Sequence, residues 1–295
     1  MKTKKTIMTL MFTASVMALS LNACKKSGDA TSGTSDTAAI SASSSATASE
    51  MVFDDSFDVV TQSSEQSNLS VNSTGGTITT NSLTAQNASF TTTAGATITV
   101  VPADPSVFPK TMTIDYRTGV TSPNGVVRKG QIIVNLTGEI RVAGSVISVT
   151  YNNYSVNGYQ INGTYAMTPK LVAGAGVNYN ITVSNGSITQ PDGTTATYSG
   201  TETFTQVAGI GTSTITDDTY QVTGNFSYHN TSTGTITANI TNPLVKSTDC
   251  KDITSGTIAF TDNKLKGTLD FGPGTCDNLA TITFGVTTQT ITLAR

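Results

Sequence analysis

The sequence predicts an all-β protein: a single antiparallel meander domain, as a curved sheet, half-barrel or sandwich, placed after a signal peptide and a disordered linker. Three observations predict it. Thr, Val and Ile alternate over short runs, and 57 of the 295 residues are Thr. Turn dipeptides recur between those runs. No apolar stretch of helical length appears after residue 96. Period-two alternation of β-branched residues marks strands with one face buried and one in water.

The first 24 residues bear on compartment. Lys2, Lys4 and Lys5 precede a mostly apolar run from Ile7 to Leu21. That run is shorter than the roughly 20 residues a membrane span needs, and it suits a secretory signal. It ends in Leu21-Asn22-Ala23-Cys24, which resembles a bacterial lipobox. Residues 1–23 then read as a lipoprotein signal peptide and Cys24 as the lipidated residue, its acyl chains tying the protein to a membrane. The alternative is an ordinary signal peptide with an unrelated Cys. Lys25, not Asp, follows the Cys, which favours the outer membrane, on its periplasmic face or at the cell surface. Without residues 1–23 the chain has 13 basic and 19 acidic residues, a net charge of -6. No basic patch for nucleic acid follows from that balance.

Residues 24–95 read as a low-complexity tether. From 25 to 50 the chain is mostly Ser, Thr and Ala, too poor in large apolar groups to offset the entropy of ordering. Asp36-Thr37-Ala38 fits a Bacteroidota O-glycosylation pattern. Within 51–66, Phe53, Phe57 and Val60 fall at i, i+4 and i+7, which predicts a short amphipathic helix or a loosely ordered patch.

Residues 96–295 form the β domain. Strand runs include Thr111–Tyr116, Val146–Tyr151, Tyr179–Ser184, Thr235–Ile240 and Ala280–Phe284. Asn-Gly at 124–125, 157–158, 162–163 and 185–186, and Asp-Gly at 192–193, accept the positive φ of hairpin turns. With Cys24 assigned to lipid, Cys250 and Cys276 remain for a disulfide in an exported chain. Neither has a close Cys or His partner for a metal.

One ordered set of motifs resembles a family. It runs Phe108-Pro109-Lys110-Thr111-Met112-Thr113-Ile114-Asp115-Tyr116, Thr118-Gly119, Ser122-Pro123-Asn124-Gly125, Arg128-Lys129-Gly130, Tyr154-Ser155-Val156-Asn157-Gly158, Gly163-Thr164 and Asp217-Asp218-Thr219-Tyr220. It closes on Asp270-Phe271-Gly272-Pro273-Gly274-Thr275-Cys276-Asp277-Asn278. This is similar to uncharacterised Bacteroidota lipoproteins. Members often carry Cys where this chain has Ala96 and Val120. The resemblance implies a lineage and a lipid anchor; it brings no activity and no functional residues.

Catalytic patterns are absent from the sequence. His229 is the only His, and it reads as a hairpin-end surface residue. No Gly-x-Ser-x-Gly, Ser-x-x-Lys, phosphate loop or His-Glu-x-x-His occurs. Asp115, Glu139, Glu202, Asp217, Asp218 and Asp270 supply the carboxylates for a glycosidase pair. Asp270, Asp277 and Asn278 flank a Gly-Pro-Gly turn without a calcium-loop spacing. All nine Tyr lie between Tyr116 and Tyr228, suited to cross-strand packing or to sugar stacking. Lys110, Arg128, Lys129 and Arg141 read as a charged strand edge or an anionic-glycan contact.

The expected protein is therefore a lipid-anchored envelope protein with a binding or structural role, no catalytic residues, no metal and no cofactor. Its partners are the membrane through Cys24 and a glycan or envelope protein. A carrier of a lipid or other apolar ligand and a polysaccharide-active enzyme are the alternatives.

Overall fold

The computed structural model describes residues 32–69, 88–91, 95–171, 176–212, 214–262 and 265–294. The signal peptide and Cys24 lie outside the described residues. Among the described residues one helix precedes fifteen strands. Helix α1 spans Ser32–Gln66. The strands are β1 Ala88–Thr91, β2 Thr97–Val101, β3 Lys110–Asp115, β4 Val120–Thr121, β5 Val127–Leu136, β6 Ile147–Val156, β7 Tyr159–Leu171 and β8 Val177–Thr189. They continue as β9 Thr195–Ala208, β10 Thr219–Asn230, β11 Gly234–Ser247, β12 Ser255–Asp262, β13 Leu265–Pro273, β14 Leu279–Phe284 and β15 Thr287–Thr292.

Every neighbouring pair is antiparallel and consecutive, apart from the short β4, which pairs only with β5. The all-β meander is thus observed. β1 and β15 are not paired with each other, so the sheet is curved but not closed. Its last residues return to the β6–β7 turn, where Asn157 Nδ2 donates to the Ala294 carbonyl at 3.2 Å.

The sheet curls round α1. From Asp36 in α1 to Ser67 just past its end, side chains bond partners from Thr287 in β15 to Met112 in β3. Residues 46–61 are buried on every side. For residues 32–69 this corrects the expectation of a tether over 24–95 and of a helix confined to 51–66; residues 24–31, 70–87 and 92–94 lie outside the described residues. The folded unit takes in α1, and β1 also lies before the expected boundary at residue 96.

The physical reason lies in the side chains that looked too polar to bury. The hydroxyls of Ser44, Thr47, Ser49, Thr61 and Ser67 donate to carbonyls four residues back, at 2.6–2.9 Å. Such a hydroxyl is satisfied by its own helix and needs no water. Ala39, Ala42 and Ala46 add only methyl groups to the surface. A slim helix results, and the wall closes on it. At about 1.5 Å per residue α1 is roughly 52 Å long, close to the reach of the 13- and 14-residue strands around it.

The strands alternate as the sequence predicts. In β8, Val177, Tyr179, Ile181 and Val183 face α1, while Asn180, Thr182 and Ser184 face out. The Asn-Gly pairs divide into two uses. Asn157-Gly158 makes the β6–β7 turn with both residues at positive φ. Asn162-Gly163 and Asn185-Gly186 instead sit inside β7 and β8, where the register slips. They are bulges, because the backbone angles that suit a hairpin turn also suit a bulge. The two bulges face each other: a Cβ on Gly163 would lie 2.8 Å from the Asn185 carbonyl oxygen.

Cys250 and Cys276 form a disulfide across 26 residues. It ties the β11–β12 loop to the β13–β14 loop. The chain-entropy model assigns a loop of that length about 3.5 kcal/mol. Replacing both Cys by Ala is expected to lower the urea-unfolding free energy by about that amount, with the wild-type curve shifting equally on reduction.

Candidate functional site

The interior between α1 and the sheet carries both the aromatic core and most of the buried charge. Phe53 stacks on Tyr198 at 4.9 Å and Phe57 on Phe204 at 4.6 Å, with Tyr179 and Tyr220 edge-on to Phe57. These ring geometries are the favourable offset and T-shaped ones. Seven of the nine Tyr are buried, and Tyr151 and Tyr159 are half-buried. Their alternation gives them to the inner face, so they offer no outward platform for a sugar.

Among the described residues three ion pairs lie inside. Arg128 grips Asp55 through two bonds, Nε to Oδ2 at 2.8 Å and NH2 to Oδ1 at 2.5 Å. Tyr154 also donates to Asp55, at 2.9 Å. Burial works against the Arg128 charge, but the Asp55 carboxylate outweighs it and holds the guanidinium above its ordinary range. Arg141 meets Asp218 at 2.6 Å, and Lys246 meets Asp58 at 3.0 Å. Asp218 also accepts from Gln206 and Tyr220.

The basic residues singled out in sequence therefore do not form a patch. Arg128 and Arg141 point inward. Lys110 is buried against the Pro102 and Asp104 carbonyls. Lys129 alone of the four is exposed. Sequence reading missed the inward turn of Arg128 because its partner Asp55 lay in the supposed tether, and that of Arg141 because Asp218 stands 77 residues away in the chain.

The candidate carboxylates are also dispersed. Asp270 and Asp277 cap their own turns through the Gly272 and Leu279 amides. Asp217 bonds Thr212 at an exposed loop, and Asp115 bonds Gln131. Glu139 is half-buried. His229 is exposed beside Thr235. Glu202 is brought beside Glu50 and Asp54 of α1 rather than beside the other candidates. Thr37 lies exposed in the first turns of α1, and Val120 packs over Gly95, next to Ala96.

The meander has two rims. Connections after β2, β5, β7, β9, β11 and β13 lie at one; the others lie at its opposite. α1 enters at the second rim, where Asp36 meets Thr287 of the β14–β15 hairpin. It leaves at the first, where the Leu69 carbonyl accepts from Ile140 and Glu65 reaches Ile215. Exposed large apolar residues collect at that exit rim: Val101 and Val107, Val142 and Val146, Leu171, Val207 and Ile210, and Leu279. At the entry rim the corresponding residue is Val286. A cleft of about 330 Å³ opens where α1 leaves the sheet, between Gln62, Arg128, Asn124 and Lys251.

The outer wall is different again. Thr195, Thr197, Ser199 and Thr201 of β9 and Thr235, Thr237 and Asn239 of β11 face outward and are exposed. A membrane-spanning barrel carries an apolar band there; this wall is hydroxyl-rich.

Compared with known proteins, the chain matches no family model and no solved structure. It is similar to the adhesin BmaC autotransporter of Brucella suis biovar 1 (strain 1330), with 31% identity over 162 residues. The matched stretch covers 51% of this chain and 5% of the adhesin, so this chain spans about a twentieth of that protein's length.

Proposed function

We propose that the protein is a lipid-anchored, non-catalytic binding module of the bacterial outer membrane that presents its exit-rim loops to a protein partner. The carrying observation is that α1 enters the sheet at one rim while the exposed apolar loops sit at the opposite one. If Cys24 bears the lipid, only residues 25–31 separate it from α1. Seven residues reach at most about 25 Å, so the entry rim faces the membrane and the apolar loops face away from it. Single exposed apolar residues are ordinary on any protein; their collection at one rim is what suits a partner. The likeness to an autotransporter adhesin supports a place at the outer membrane or cell surface.

The packed interior counts against the two alternatives. A carrier needs an apolar cavity, and α1 occupies the concave face that would hold the ligand. The cleft where α1 leaves the sheet has Asp58, Gln62, Ser63, Arg128 and Lys251 in its walls, a poor lining for an acyl chain. The enzyme reading needs two accessible acids side by side; Glu202 and Asp218 are enclosed, and Asp115, Asp217 and Asp270 are bound at separate strands and turns.

The test has two parts. Metabolic labelling with a tagged fatty acid is expected to mark the chain and to fail in Cys24→Ala. A photo-crosslinking residue at Ile210 is expected to give a defined protein adduct on cells, and one at Val286 none. Labelling of Cys24→Ala, or adducts at Val286 but not Ile210, would overturn the proposal.

A further inference from the structure

The three interior ion pairs use Arg128, Arg141 and Lys246, and they take up Asp55, Asp218 and Asp58. Three more carboxylates stand together beside them. Glu50 and Asp54 are one turn apart on the same face of α1, and Glu202 faces them from β9. One oxygen from each lies within 4.8 Å of the others. All three are 5% exposed or less.

A second observation comes from a different strand. Tyr165 of β7 is fully buried, and its hydroxyl has no hydrogen-bond partner among the described residues. Across the sheet Tyr165 pairs with Val183 and Val183 with Gly200, two residues from Glu202 on the same inner face; burial raises the hydroxyl's pKa well above its ordinary value, and the Asp54 and Glu202 charges raise it further. Glu202 Oε1 likewise accepts no hydrogen bond among them. A buried hydroxyl left without a partner is unfavourable, and a ligand at this point removes that penalty.

The chemistry of the set selects the ligand. Three carboxylates this close in a dry interior cannot all ionise without a counter-charge. The donors are all oxygen, which suits a hard cation. Oxygens bound to one Ca²⁺ at about 2.3–2.6 Å lie within roughly 5 Å of each other, as these do. Mg²⁺ keeps several waters and holds strict octahedral geometry, whereas all three carboxylates here are buried.

We infer that Glu50, Asp54 and Glu202 form a buried site for a calcium-sized divalent cation, with the Tyr165 hydroxyl as a neutral fourth ligand, fastening α1 to β7 and β9. The site is structural: it closes the sheet on its helix and leaves the outer surface unchanged.

The experiment uses the full chain without its signal peptide, unfolded and refolded with its disulfide intact in Ca²⁺, Mg²⁺ or EDTA. Elemental analysis is expected to find one Ca²⁺ per chain after desalting. Tm is expected to rise with the logarithm of calcium concentration and to be lowest in EDTA. Tb³⁺ is expected to show Tyr-sensitised emission, since the chain has no Trp. Glu202→Gln should lose the ion, the Tm dependence and the emission, while the near-isosteric Tyr165→Phe should fold and bind more weakly. A wild-type chain without bound ion, with the same Tm in Ca²⁺ and EDTA, would overturn the site and leave the carboxyls sharing protons. Retained calcium in Glu202→Gln would overturn it too, by moving the ion elsewhere.

Discussion

Asp55→Ala is expected to destabilise the protein by about 3–5 kcal/mol, the cost of leaving a buried charge without its partner. Asp55 is fully buried in α1 and is held by Arg128 and Tyr154. Its removal strands the guanidinium in the interior, where the Ser122 hydroxyl, 2.7 Å away, still accepts from it. The double variant Asp55→Leu, Arg128→Met is expected to recover much of the loss, because a well-packed apolar pair avoids desolvating either charge. Urea unfolding followed by circular dichroism measures both. A cost below about 1 kcal/mol for Asp55→Ala, the range of a surface pair, would mean the two residues meet in water.

Phe57→Ala is the second large effect, also expected at about 3–5 kcal/mol. Phe57 is fully buried, and its ring touches Phe204, Tyr179 and Tyr220 from β9, β8 and β10. Truncation leaves a cavity at the middle of the lumen, where rigid strands on all sides cannot collapse into it. Gln62→Ala, on the same helix but exposed at the exit rim, should change stability by no more than about 0.5 kcal/mol. Equal effects from the two substitutions would contradict the enclosure of α1.

The strands and the disulfide were legible because their signals are local. Alternation in Tyr179–Ser184 states which face is wet, and Cys250 and Cys276 are the pair left after Cys24. The helix was half legible: Phe53, Phe57 and Val60 announce one face of it, but nothing announces a start at Ser32. Residues 46–50 lack an apolar stripe because a helix enclosed on all sides has no wet face to contrast with a dry one, and the partly exposed 35–45 carry only small Ala, Ser and Thr beside Ile40 and Asp36. Their hydroxyls also bond their own backbone, which hydropathy counts as polarity. The carboxylate site was illegible for the same reason. Glu202 looked like a scattered surface acid until α1 placed Glu50 and Asp54 opposite it. The two inner bulges at Asn162-Gly163 and Asn185-Gly186 read as turns because turn and bulge share backbone angles.

Native-state hydrogen exchange over residues 46–61 tests the enclosed helix most directly. If α1 is the core round which the sheet is wrapped, its amides exchange only through global unfolding, as slowly as those of β8, β9 and β10. Exchange of 46–61 at the rate of an exposed chain, while those strands stay protected, would show a sheet that stands without its helix and would contradict the account.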